Sequence, residues 1–148
     1  MRFLDRLQPL ALLALRLALG VIMIAHGYHE IFVGMSHHVE TVRHLGLPGW
    51  MAYPSAGAEF FGGILVLLGL LTRIAALSIL INMLVAIWKV HWHNGLTGNG
   101  GYEYPMSLAV IAFALVFFGA GSIAFDAIHG GGGGRGSSGG GRSKSKSK

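Results

Sequence analysis

The chain contains no cysteine, which excludes disulfides, thiol redox chemistry and thiolate metal ligation. Charge is scarce as well. Only 11% of the 148 residues are Asp, Glu, Lys or Arg, against roughly 25% in an ordinary soluble domain. Hydrophobic residues make up 53%. A soluble fold of this length buries only about two-thirds of its unfolded surface, so it has no place for that much apolar area. A bilayer supplies one. The body also lacks net charge. Five of the eleven bases (Arg135, Arg142, Lys144, Lys146 and Lys148) lie in the C-terminal tail, and the other six balance six acids. This argues against a nucleic-acid partner. No strand pattern precedes Gly130–Gly134 and no Gly-Lys-Ser/Thr follows it, so it is no phosphate loop. No serine or cysteine nucleophile pattern is present.

What the chain does have is apolar runs. The central one is a hairpin, Ala58–Lys89, whose polar break is Thr72-Arg73. Glu59 precedes Arg73 by 14 residues and Lys89 follows it by 16. At about 1.5 Å rise per residue, both lie roughly 21–24 Å from the turn. The hairpin therefore returns an acid and a base to one depth. Leu7–His26 supplies the first span. Arg16 interrupts its apolar run and no small-x-small site precedes His26, so we read it as a retained helix. The longest connection, Gly27–Pro54, carries a short interfacial helix over Glu30–Leu45, with Trp50 and Tyr53 where the chain returns to the membrane. The second helix runs from about Ser55 to Leu71 and the third from Arg73 to about Val90. Met106–Phe125 is the fourth, 20 residues without a charge. These elements predict an all-α, integral membrane bundle of four transmembrane helices over residues 1–129. Residues 130–148 form a disordered Gly/Ser/Lys/Arg-rich tail.

The lysines and arginines orient the bundle. Arg2, Arg6, Arg73 and the tail bases fall on one side, Arg43 and Lys89 on the other. Both termini are then cytoplasmic, and the tail bases can lie on anionic lipid. The opposite side gathers ionisable groups: His26, His29 and Glu30, then Glu59, then Lys89 and His91, then Glu103 and Tyr104. Two stripes at 4-3-4-3 spacing, Arg16-Gly20-Met23-Gly27-Glu30 and Ser78-Asn82-Val85-Lys89, point inward. Intramembrane charges default to functional readings. The structural alternatives are an interhelical ion pair or hydrogen bond for Arg16 and Glu59, snorkelling for Lys89 and a helix-terminus contact for Glu103. The candidate ligand-binding residues are thus Arg16, His26, Glu30, Glu59, Asn82, Lys89, His91, Glu103 and Tyr104. His26, His29 and Glu30 share a helical face, so with His91 they are also candidate metal ligands. A haem between His26 and His91 ranks below that. The paired glycines of the second and fourth helices suit close helix packing.

Arg16…Gly20…His26-Gly27, then Glu59-Phe-Phe-Gly-Gly with Gly69-Leu-Leu-Thr-Arg73, then Gly101-Tyr-Glu103-Tyr, then Gly119-x-Gly121-Ser and Asp126, resemble the DoxX family over about Leu10–Ala127. The resemblance implies a four-helix bacterial or archaeal cytoplasmic (inner) membrane protein. Members include a subunit associated with thiosulfate:quinone oxidoreductase, and others are linked to membrane complexes that handle oxidative and thiol stress. Many members carry a lysine shortly after the His-Gly pair. This chain has Glu30 there, so anion contacts through that lysine do not carry over.

These readings lead to a redox-associated membrane subunit that binds a quinone or similar polar-headed ligand. Arg16, Glu59 and Lys89 would fix the ligand, and His26 or His91 would move protons. Nothing in the sequence carries electrons, so a cofactor or redox partner subunit must. The alternatives are a membrane scaffold or assembly factor and, third, a small-solute transporter acting as a homo-oligomer.

Overall fold

The structure, a computed structural model, describes residues 7–126. These residues are helical, with no strand among them. Helix α1 spans Gln8–Tyr28 and runs on through a π turn, His29–Val33. A short helix α2 follows, Met35–His44. A 3₁₀ turn, Gly49–Met51, leads into α3, Ala52–Leu68. Helix α4 covers Thr72–Ala86 and is prolonged by a π turn, Ile87–His91, and a 3₁₀ turn, Trp92–Asn94. Helix α5 is Glu103–Phe118. Pro9, Pro54 and Pro105 all fall in first turns, where a missing N–H leaves no helical bond unmade.

Three continuous helical stretches are long and apolar enough to cross a membrane: Gln8–Val33, Gly49–Leu68 and Thr72–Asn94, of 26, 20 and 23 residues. Helix α5 is apolar but has 16 residues, about 24 Å of rise. The molecule is built inside out relative to a soluble fold. Small or polar residues fill much of its interior, including Arg16, Gly20, Gly27, Glu59, Gly62, Gly63, Thr72, Ala76 and Ala112. Large apolar side chains face outward: Phe118 is 70% exposed, Ile74 67% and Val110 62%. Only hydrocarbon makes that surface favourable, so the fold is a membrane helical bundle.

The tightest packing is between α1 and α3. A Cβ on Gly27 would collide with the backbone nitrogen of Phe60, and one on Gly63 would stand 2.9 Å from the backbone nitrogen of Ile24. Bare glycine is what lets the two backbones touch. Helix α5 packs mainly on α4, and Leu19, Met23, Val66, Ile79, Leu108 and Leu115 join the four long helices in one core.

Three expected boundaries shift. The tight turn forms at Gly69–Leu71 rather than Thr72-Arg73, because Gly69 adopts φ +73° and Leu71 φ +46°. Thr72 is already the first residue of α4. The fourth helix ends at Phe118 rather than Phe125, because Gly119 and Gly121, at φ +74° and +77°, reverse the chain. The interfacial helix expected over Glu30–Leu45 is split at Gly34 between the first π turn and α2. The predicted tail, with its five bases, and residues 1–6 lie outside the described residues.

The segment after α5 closes one end of the bundle. Arg16, 2% exposed, donates from Nε to the Val66 carbonyl at 3.0 Å and from Nη2 to Leu67 at 2.9 Å. Its Nη1 donates to the carbonyls of Ala120 at 3.0 Å and Ile123 at 2.6 Å. The guanidinium thus caps the C-terminal end of α3, where partial negative charge collects. Beside it, the Asp126 carboxylate accepts hydrogen bonds from Leu71 N, Thr72 N and Thr72 Oγ1 at 2.9–3.1 Å and so caps α4. Burial pushes the Asp126 pKa up, but these bonds and the charge of Arg16 outweigh it and hold the group below the usual carboxylate range.

Candidate functional site

The other end of the bundle is open inside. A cavity of about 540 Å³ lies between α1, α3, α4 and α5, and α2 with the residues up to Leu47 covers it. The wall is largely aliphatic: Met23, Val42, Leu45, Ile81, Met83, Val85 and Leu108. Polar groups sit within it as two chains.

The first chain runs from α3 to α4 and back. Ser55 Oγ donates to Asn82 Oδ1 at 2.9 Å, and Asn82 Nδ2 donates to Glu59 Oε1 at 2.8 Å. Because the Asn82 oxygen accepts from Ser55, its amide must present N–H to Glu59, so all the donors point one way. The chain ends on Glu59, which is 7% exposed. Its other oxygen, Oε2, is buried without a hydrogen-bond partner among the described residues.

The second chain joins α1 to its cover. His38 Nδ1 on α2 stands 3.3 Å from Glu30 Oε1, in the first π turn. Glu30 Oε2 and His38 Nε2 are likewise buried and unpartnered. Burial, and after it the neighbouring His37, lowers the His38 pKa. In the neutral ring, an Nδ1–H directed at Glu30 leaves Nε2 as an acceptor. An unpartnered buried polar atom costs about 1–3 kcal/mol. All three belong to residues that line the cavity, and a ligand or ordered water that reached them would satisfy them.

The mouth carries the remaining groups. His26 Nδ1 donates to the Ile22 carbonyl at 2.9 Å, and the His26 ring lies 6.1 Å from that of Tyr104. His91 Nδ1 donates to the Gly100 carbonyl at 2.7 Å, which Asn94 also contacts. The Lys89 ammonium sits over the Trp88 ring, 4.4 Å from its centroid.

Of the residues singled out from the sequence, His26, Glu30, Glu59, Asn82, Lys89, His91 and Tyr104 all line this cavity. Arg16 does not. Its donors are engaged by four carbonyls at the opposite end, so it is placed neither to touch a cavity ligand nor to pair with Glu59. Glu103 starts α5 and stays outside the cavity lining. His29 faces a separate outer groove between Val21 and Val33. Among the described residues no three His, Asp or Glu side chains gather as a metal site, so His26, His29, Glu30 and His91 are not brought together as ligands. Sequence reasoning missed His38 and Ser55. His38 falls within the expected interfacial helix, where nothing in the sequence assigns it a role. Its only signal is its place on a short helix after Gly34, eight residues beyond Glu30.

Fold and cavity together define a small helical membrane protein with a largely aliphatic chamber, set with a few polar groups, at one end of its bundle. The DoxX family model matches residues 11–92, more than half of the chain, and the chain belongs to that family. The match takes in α1 to α4 and stops short of α5, so it does not reach Ala127, where the resemblance was expected to end. A Bacillus subtilis (strain 168) protein named "Putative oxidoreductase CatD" is 36% identical over 103 residues, covering 70% of this chain and 76% of CatD. An uncharacterised Haemophilus influenzae protein is 33% identical over 73 residues, covering 49% of this chain and 48% of that protein. No solved structure matches the chain significantly.

Proposed function

We propose that this DoxX-family protein is a redox-associated membrane subunit that binds a quinone-like molecule, apolar in body and polar in head, in the cavity under α2. The observation that carries this is the set of three unpartnered polar atoms, Glu59 Oε2, Glu30 Oε2 and His38 Nε2, in an otherwise aliphatic chamber. A quinone-type ring and its hydroxyl or carbonyl oxygens suit such a chamber. When bound, it would supply two-electron chemistry coupled to protons. The chain's own residues would hold and orient it: Glu59 and Glu30 at the head, Met23, Met83 and Leu108 along the body. Glu59 Oε2 is the atom where a proton can be held, because Oε1 already accepts from Asn82. Electrons must come from a partner subunit or a bound cofactor. The similarity to CatD supports the oxidoreductase association. The Lys/Arg distribution supports an inner-membrane location with both termini cytoplasmic.

The scaffold reading has one observation in its favour, the Arg16 carbonyl network, which is purely structural. A scaffold, however, gives no reason for Glu59 to keep a buried oxygen unpartnered. The test is solvent extraction of the detergent-purified full chain, followed by mass spectrometry. The wild type should release a near-stoichiometric polar-headed molecule that Glu59→Gln releases in much smaller amount. Only bulk phospholipid from the wild type would sink the ligand reading and leave the scaffold.

A further inference from the structure

The cavity is walled unevenly. Met23, Met83 and Leu108, all buried, close it toward α1, α4 and α5. Along the α3–α4 seam the wall is thin. Helix α3 lines the cavity with Pro54, Ser55, Ala58 and Glu59, and α4 answers with Ile81 and Val85. Ile81 is nonetheless 55% exposed, Pro54 is exposed and Ala58 and Val85 are half-buried. These residues face the chamber and the outside at once. The Ser55–Asn82–Glu59 hydrogen bonds tie the helices together at this level, but no large apolar side chain of α3 fills the space beside them. Nearer the turn the seam is shut: a Cβ on Gly62 would stand 3.3 Å from Ile79 Cγ1 and 3.5 Å from Ser78 Oγ. The cover leaves the same side free. Helix α2 packs on the first π turn, the 3₁₀ turn and α3, and its contacts with α4 and α5 are slight at most.

This slot lies deep. Ala58 stands eleven residues before Gly69 and Ile81 ten after Leu71, about 15–17 Å from the turn at a helical rise of about 1.5 Å. That is near the middle of a hydrocarbon core roughly 30 Å thick, so the slot meets acyl chains and not water. Lys89, eighteen residues after Leu71, is about 27 Å from the turn, at headgroup level. The cavity therefore has a polar mouth at the membrane surface and an aliphatic side opening inside the bilayer. We propose, resting on the ligand site above, that the ligand is a chain-bearing membrane lipid. Its head enters sideways between α3 and α4, and its alkyl or isoprenoid chain stays in the slot against Ala58, Ile81 and Val85. A chamber of about 540 Å³ suits a substituted ring, and an isoprenoid chain of several units has to leave it. Through the slot the chain leaves into acyl chains, where it loses no apolar environment. A water-soluble ligand has no use for an opening at that depth.

The test is photolabelling of the full chain in proteoliposomes with decylubiquinone that carries a diazirine midway along its chain. Adducts are mapped by peptide mass spectrometry, with and without excess unlabelled decylubiquinone. The expected result is labelling of Ala58, Ile81 and Val85 that the unlabelled quinone removes. Ala58→Trp fills the slot from α3 and should cut this competed labelling at least about fivefold, the lower end of what overpacking costs. Ile81→Trp fills it from α4, at a residue that already half faces lipid, and decides should Ala58→Trp not fold. Competed adducts confined to the mouth, at His26 or Tyr104, or insensitive to both substitutions, overturn the slot and leave the ligand site standing. Slot adducts that unlabelled quinone does not remove are ordinary lipid contacts and overturn the slot in the same way. No competed adduct anywhere overturns the slot and the ligand site together.

Discussion

Arg16 lies at the end of the bundle opposite the proposed ligand cavity, and Arg16→Met tests whether its role is purely structural. The substitution keeps much of the apolar stem and removes every donor. Val66 O retains the Gly69 N–H at 3.1 Å. The Leu67 and Ala120 carbonyls accept from no other group among the described residues, so at least two acceptors are stranded. At about 1–3 kcal/mol each, the loss is about 2–6 kcal/mol. Removing a buried charge also relieves its desolvation cost, so the lower part of that range, about 2–3 kcal/mol, is the expected outcome. For a chain of this size that corresponds to a fall in Tm of roughly 10 °C. Arg16→Lys should recover only part of it, since one ammonium cannot fork across four carbonyls on two segments. The assay is thermal unfolding in detergent, with the co-purifying ligand measured by solvent extraction well below the transition. Binding should be unchanged, because the guanidinium is at the far end of the bundle. A variant with unaltered Tm, or one that keeps its Tm and loses binding, would refute this reasoning and return Arg16 to the ligand.

Two further outcomes follow from the packing. Gly27→Ala drives a Cβ into the backbone of Phe60. The helices must part, so thermal unfolding should show a loss of about 1–3 kcal/mol, and a fully stable variant would mean that the α1–α3 contact is looser than described. Asp126→Ala removes the cap of α4 and should cost about 0.5–2 kcal/mol near neutral pH. Because the folded state lowers the Asp126 pKa, its stabilising effect is present above the unfolded value and is lost as pH falls through the folded one. The wild-type advantage over Asp126→Ala should therefore close below about pH 4, and an advantage independent of pH would count against a charged cap.

Much of the bundle was legible because the apolar runs are long and the polar exceptions are spaced. Arg16, Gly20, Met23 and Gly27, at 4-3-4 spacing, are all buried. Ser78, Asn82, Val85 and Lys89 all line the cavity. The partners of Arg16 were not legible. They are carbonyls 50 to 107 residues away, and a backbone acceptor leaves no mark on residue type. The end of α5 was hidden for a related reason. The chain beyond Gly119 stays apolar because it folds back over the bundle, and apolarity alone does not tell a continuing helix from a returning segment. His38 escaped because two adjacent histidines in a polar connection read as surface. Its place in the cavity lining depends on α2 lying over the cavity. The two π turns also shift helical phase by about one residue, which spacing arguments built on 3.6 residues cannot anticipate.

The Arg16 network also has a consequence in time. The guanidinium belongs to α1, while its last acceptor, Ile123, is synthesised 107 residues later. Before α3 arrives Arg16 has none of its acceptors, a state that costs about 2.5–3.5 kcal/mol at the centre of a membrane helix, and until the segment after α5 follows it has only the Val66 and Leu67 carbonyls of its four. The bundle therefore cannot settle helix by helix. Its first helix stays provisional until the segment behind the last one arrives. A chain cut off within α5 should be a better substrate for membrane proteases than its hydrophobicity alone would suggest.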